Sequence, residues 1–333
     1  MDLSKSFTMQ IAHICIELCG CNNEDSACLN SLKRLFAQHE VSGDTKAAHR
    51  VVVCDSKRLK IPREAKLQWV STFIGVGGPT RRRRWFSFRK KKSPLYSGTG
   101  EVKCFKDETR QVYYFVPANA GWRIEHDVNN HFTSVYSNKQ NDLSDGLPSM
   151  LLHVIGSQYG CYLMYASCIS LNGESVLFTG NSGEGKTTLC IELTKKGAAY
   201  IGDDQVLVYL KDGQPMIGAL LFPVKCYADS EHTHKKRIDL LSDKSQRPPL
   251  TVPLKSVCLI KREESANTLP NIEPMHGEEM FSRMLKLTNK TNTNFDGHDF
   301  VNTLSCICGT AKCYTFVYSD CGNVEPSLFF TND

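Results

Sequence analysis

The segment most able to do chemistry is Gly180-Asn181-Ser182-Gly183-Glu184-Gly185-Lys186-Thr187, which fits the pattern G-x-x-x-x-G-K-[ST]. The glycines let the backbone curl so that successive N–H groups point inward, and phosphate oxygens then meet donors with no side chain in the way. Lys186 supplies a mobile point charge for the β and γ phosphates, and Thr187 offers a hydroxyl to a magnesium ion. Thr188 opens the following helix, whose dipole favours anions, and completes the expected contacts. Four fixed positions drawn at average frequencies recur by chance in a chain of this length about 1% of the time. The bland alternative is a glycine-rich turn without a ligand. Against it, Val176-Leu177-Phe178-Thr179 reads as a strand and Thr188-Leu189-Cys190-Ile191-Glu192-Leu193 as a helix, so strand, loop and helix follow in order. The expected ligand is a nucleoside triphosphate, with ATP and Mg2+ as the pair.

Asp203 and Asp204 come next. They follow Ala199-Tyr200-Ile201, a short strand that starts just after the helix closes at Lys195-Lys196-Gly197. They are therefore expected at a strand end beside the phosphates. One carboxylate can hold magnesium and the other can accept a proton from an attacking hydroxyl. Adjacent residues at a strand end point different ways, so two roles are natural. The alternative is a plain polar turn.

Further elements must position these groups. Met150 to Gln158 predicts a helix. Tyr162 to Leu171 and Ser175 to Thr179 predict strands about a turn at Asn172-Gly173. Gln205 to Leu210 predicts another strand, turned back at Lys211-Asp212-Gly213. A helix near Glu278 to Leu287 and a strand near Lys312 to Ser319 close this half. Upstream, residues 7 to 40 read as helical on the spacing of Leu29, Leu32 and Phe36. A short strand covers Arg50 to Cys54, and Glu101 to Ser137 turns strand-like. Polar, turn-rich sequence from Asn138 to Pro148 sets a boundary, giving domains 1–145 and 146–333.

Residues 165 to 210 resemble the catalytic core of the HPr kinase family and the HPr-kinase-like serine kinases. The resemblance is carried by the Gly180–Thr187 loop and by the helix, Gly197, strand and Asp203-Asp204 that follow at the family's spacing. The Lys-Thr-Thr and Ile-Gly-Asp-Asp wording is also similar to ATP-dependent phosphoenolpyruvate carboxykinase, a far longer enzyme with the same core. The resemblance implies an α/β fold with a mixed-sheet, phosphoenolpyruvate carboxykinase/HPr kinase-like P-loop core behind an N-terminal α+β domain. It implies ATP-dependent phosphorylation of a serine or similar hydroxyl on a peptide, protein or small metabolite. Asp204 would then be the proton acceptor, with Asp203 and Thr187 on the metal, although the two aspartates could exchange roles. Lys186, Asp203 and Asp204 form the expected catalytic set. Two departures stand out. The position fifteen residues before Gly180, often His in the family, is Tyr165, and an unperturbed phenol does not relay protons near neutral pH as imidazole does. The family's Gly-rich substrate loop is replaced by Phe222-Pro223-Val224-Lys225 and His232-Thr233-His234-Lys235-Lys236-Arg237, which argues against HPr itself as substrate. These departures keep a second reading open: a non-catalytic nucleotide-binding module. A P-loop ATPase or carboxykinase-type enzyme is a third.

Composition bounds the rest. With 333 residues, 41% hydrophobic and 23% charged, the chain is an ordinary globular sequence of about two domains. Its net charge of +5 does not itself call for nucleic acid. No apolar run approaches the roughly 18 residues of a transmembrane helix and no leader is evident, so the expected location is cytoplasmic. The fifteen cysteines are scattered and odd in number. Cys15, Cys19 and Cys21, like Cys306, Cys308 and Cys313, lack paired CxxC spacing and read as ordinary thiols before a zinc site. His232 and His234 are a weak metal signal. Arg81 to Lys92 holds eight cations and three aromatics in twelve residues. It reads first as a charged loop around a short strand, next as a dock for an acidic partner, and third as a nucleic-acid contact. The N-terminal half is expected to supply acceptor recognition or the contacts of a homo-oligomer.

Overall fold

The structure is a computed structural model that describes residues 7–21, 26–41, 45–54, 59–74, 99–118, 120–137, 146–227, 235–238, 240, 248–263, 269–288 and 297–330. The basic run 81–92 and the pair His232 and His234 lie outside the described residues. The chain forms two compact units, Met1–Met9 with Cys15–Val154, and Gln10–Ile14 with Ile155–Asp333. The expected boundary at 145/146 lies just before a helix, α2 (Leu147–Gln158), and the two units divide inside that helix.

The first unit is built on one sheet. Its strands are β1 (Phe7–Ile11), β2 (Ile14–Gly20), β3 (His49–Cys54), β4 (Lys66–Ile74), β5 (Thr99–Asp107), β6 (Val112–Pro117), β7 (Trp122–Asp127) and β8 (Phe132–Ser137), joined by a helix, α1 (Ala27–Leu35). The order is β1-β2-β3-β8-β7-β6-β5-β4. The helix expected over 7 to 40 does not form as one element: among the described residues 27–35 is α-helix, 37–39 a 3-10 turn, and 7–11 and 14–20 are strands. Phe7, Met9 and Ile11, then Ile14, Ile16 and Leu18, are buried in alternation, which is the period of a strand with one covered face. The helical spacing of Leu29 and Leu32 is real but begins only where the Ser26 hydroxyl accepts from the Leu29 amide at 3.0 Å.

The second unit contains β9 (Tyr162–Met164), β10 (Ser167–Leu171), β11 (Glu174–Thr179), α3 (Lys186–Lys195), β12 (Ala199–Gly202), β13 (Val206–Lys211), β14 (Gln214–Gly218), β15 (Val224–Tyr227), β16 (Lys235–Ile238), β17 (Thr251–Arg262), β18 (Asn271–Pro274), α4 (Gly277–Thr288), α5 (Gly297–Thr310) and β19 (Lys312–Tyr318). Its sheet is mixed. β17 runs parallel to both β11 and β19, while β10, β12 and β18 extend the row antiparallel. The first residues of β17 also pair with β14, which leads through β13 to β9. β17 is thus the spine of the unit, and its stretch from Val257 to Ile260 is apolar and buried without alternation, as in a strand covered on both faces.

The single strand expected over Tyr162 to Leu171 is broken at Tyr165. β9 pairs with β13, whereas β10 pairs with β11 and β12. α5 was not anticipated. Its apolar face is Phe300, Leu304, Ile307 and Cys308, diluted in sequence by Thr, Ser, Cys and Gly.

Candidate functional site

The loop leaves the sheet at Thr179, which pairs with Leu259 of β17. Gly180 has φ of 150°, and a Cβ there would sit 3.0 Å from the Ile260 carbonyl oxygen. Gly185, the residue before α3, is left-handed with φ of 85°, and a Cβ there would overlap the Tyr318 hydroxyl oxygen. Glycine is therefore required twice over at Gly185, by conformation and by space. The loop is held from outside. The Glu184 carboxylate accepts from the Arg262 amide at 2.9 Å, and the Glu184 carbonyl accepts from the Tyr318 hydroxyl at 2.9 Å. No side chain caps the start of α3, so its first amides stay available to an anion.

Lys186 is 4% exposed, and its ammonium donates to the Gly180 and Asn181 carbonyls, each at 2.8 Å. It also lies 4.6 Å from the centroid of the Tyr165 ring, a cation–π contact. Burial pulls its pKa down to about 8, against the opposing pull of Asp204, Asp203 and Glu184. Burial, and then the charge of Asp204, raises the Tyr165 phenol above its ordinary value. A tyrosine here is thus still less able to shuttle a proton than its type suggests.

The two aspartates are brought to the same place. β12 ends at Gly202, and the β10–β12 register shifts between Cys168 and Ile169, which sets Ser167 beside Asp203. The Ser167 hydroxyl donates to Asp203 Oδ1, and Ser167 and Thr187 both favour the charged form of this carboxylate. Burial, followed by the neighbouring Asp204 charge, raises the Asp203 pKa to about 6. Asp204 is left-handed at φ of 61°, uncommon for a residue with a side chain.

Of the residues singled out in the sequence, Gly180, Glu184, Gly185, Lys186, Thr187, Asp203 and Asp204 come together around one loop. Asn181, Ser182 and Gly183 form its exposed rim, and Thr188 is an exposed residue in the first turn of α3. Sequence reasoning missed Ser167, Arg262 and Tyr318. Ser167 lies 36 residues from its partner Asp203, and Tyr318 lies 134 from Glu184. Such pairings follow from strand order, which no local pattern encodes. Among the described residues, no three of His, Cys, Asp and Glu converge as a metal-binding group. Cys308 and Cys313 are buried, and Cys15, Cys19, Cys21 and Cys306 are partly so. A separate cavity of about 530 Å3 lies between α4 and α5, lined by His276, Glu278, Phe281 and Cys308 among others, and takes no residue from the loop. Among the described residues, no helix is long and apolar enough to cross a membrane.

Comparison with known proteins gives a short, specific likeness. Over 55 residues the chain is 38% identical to the HPr kinase/phosphorylase of Limosilactobacillus reuteri. Over 51 residues it is 43% identical to that of Levilactobacillus brevis, and over 50 residues 44% identical to that of Lactiplantibacillus plantarum. These stretches are 15–16% of this chain and span only 16–17% of the length of those relatives. No family model matches the chain. The solved HPr(Ser) kinase/phosphatase of Coxiella burnetii overlays 47% of this chain and 85% of its own, with a TM-score of 0.28 and 12% identity. The sequence matches show a partial HPr kinase-like relationship over about 55 residues, and the mixed α/β fold is that of the structure itself.

Proposed function

We propose that this chain is an HPr kinase-like, ATP-dependent phosphotransferase acting on a serine or similar hydroxyl of a peptide, protein or small metabolite. One observation carries the reading. A glycine loop whose curvature excludes side chains, a buried lysine and two adjacent carboxylates all meet where β11 and β12 end. The residues present fit Mg-ATP. The curl at Gly180 and Gly185 is one that a Cβ would obstruct, and the Thr187 hydroxyl and Asp203 carboxylate are hard oxygen donors near one another. Bound magnesium would neutralise charge on the β and γ phosphates.

The chain's own groups then divide the work. Lys186 leaves the Gly180 and Asn181 carbonyls for the phosphates, exchanging neutral partners for charged ones. Asp203, fixed by Ser167, takes the metal side. Asp204, which follows it in a left-handed turn, takes the proton of the acceptor hydroxyl. The cationic run 81–92 supplies a dock for an acidic acceptor or partner.

The test is transfer of labelled phosphate from ATP, with magnesium, to candidate peptides, proteins and small hydroxyl compounds. Asp204→Asn should lower transfer by about 10²–10⁴-fold while leaving ATP affinity nearly unchanged. Lys186→Ala should abolish both. A second reading, the non-catalytic nucleotide-binding module, draws support from Tyr165, whose ring rests against Lys186 where the family often has a histidine. ATP binding that Lys186→Ala removes, with no acceptor labelled under any condition, would favour the module.

A further inference from the structure

β17 outruns its partner. β11 stops pairing at Thr179 opposite Leu259, and β17 continues through Ile260, Lys261 and Arg262 along the flank of the loop. Residues two apart on a strand share a face. Ile260 Cγ1 is 3.3 Å from the Cβ position of Gly180, and Arg262 Cδ is 3.8 Å from that of Gly185. Both side chains therefore face the loop, Ile260 at its start and Arg262 at its end. Ile260 is buried, whereas Arg262 is exposed. The Glu184 carboxylate is bonded to the Arg262 amide, and β19 closes the far side through the Arg262–Tyr318 pairing. The backbone of Arg262 is thus anchored to the loop while its side chain stays open to solvent beside the last loop glycine.

We propose that Arg262 is a second cationic ligand for the phosphate chain of the nucleotide, a binding residue supplied by β17; this rests on the nucleotide reading above. The two cations differ in kind. Lys186 is buried and tied to two carbonyls of its own loop. Arg262 carries a planar, permanently charged fork that suits paired phosphate oxygens. An exposed cation at the rim meets an incoming polyanion first, and the buried one completes the grip.

Calorimetry of the full chain tests this with two probes, Mg-ATP and inorganic tripolyphosphate, on the wild type, Arg262→Ala and Arg262→Lys. Arg262→Ala keeps the amide that holds Glu184, and thermal melting checks that the fold is retained. Both probes should bind about 10- to 100-fold more weakly to Arg262→Ala, the scale of one charged hydrogen bond. Arg262→Lys should recover part of that loss. Unchanged affinity for both probes in Arg262→Ala overturns the proposal. So does a loss seen with ATP but not with tripolyphosphate, since the contact would then be with the nucleoside. A wild type that binds neither probe sinks the nucleotide reading itself, and this proposal with it.

Discussion

Replacing Gly185 by alanine should damage the loop in a way that one atom elsewhere can partly repair. The backbone at Gly185 is left-handed at φ of 85°, which costs an alanine about 1–2 kcal/mol. Its new Cβ would also overlap the Tyr318 hydroxyl oxygen, and forcing extra volume into a packed site costs about 1–3 kcal/mol more. The expected destabilisation is therefore about 2–5 kcal/mol. Tyr318 is buried, and the next atom of its ring, Cζ, lies 3.5 Å from the Cβ position, an ordinary contact. Tyr318→Phe removes the overlap but also the hydroxyl's bond to the Glu184 carbonyl, worth about 1 kcal/mol. The double variant should keep only the conformational cost and the lost bond. It should thus be more stable than the sum of the single losses by about 1–3 kcal/mol. Urea unfolding of the four proteins measures this coupling. Strict additivity would show that the hydroxyl does not limit the loop at Gly185, and the steric argument would fail.

Two further predictions concern protons. His49 and His126 are buried in the first unit and both bond the Thr133 hydroxyl, at 2.8 and 2.9 Å. Burial, then the neighbouring histidine charges, lowers their pKa values to about 4 and about 3. Because these lie below the unfolded value, the unfolded state binds more protons, so stability is full above about pH 6.5 and falls as pH drops through the window to 4. Each histidine should contribute about 1.4 kcal/mol per pH unit to that slope, and His126→Gln should remove one share in denaturant titrations between pH 6.5 and 4.5. At the loop, a Lys186 pKa near 8 means that a phosphate arriving at pH 8.5 restores a proton. ATP binding there should take up protons, seen as heats that depend on the buffer's ionisation enthalpy. The uptake should be absent in any Lys186 variant that still binds.

The parts legible in the sequence are those whose cause is local. Loop, helix and aspartate pair lie within a stretch in which each residue constrains the next: Gly185 ends the loop, Lys196 and Gly197 end the helix, and β12 delivers Asp203. The mixed sheet was expected, and its central spine was not. β17 is long, alternates over its first half and turns wholly apolar only from Val257 to Ile260, and its pairing with β11 and β19 gives it meaning. The helical spacing around Leu29 does not reach back to the N-terminal strands, since over Phe7 to Leu18 the burial period is two. Tyr165 stands out in sequence only as the residue in place of the family's His; in the fold it breaks the run from Tyr162 to Leu171 and sets a ring against the lysine.

The site's anchors explain why a loop of eight residues is not enough. Glu184 is fastened to β17 by its carboxylate and to β19 by its carbonyl, partners 78 and 134 residues away. Ser167 fixes Asp203 only because a register shift places β10 beside β12 in that way. Asp204 holds a left-handed conformation that glycine would adopt without strain, yet glycine would remove the carboxylate. Aspartate is among the few residues that enter this conformation readily, as Asp212 also does, so the turn after β12 is built to carry a second carboxylate next to Asp203.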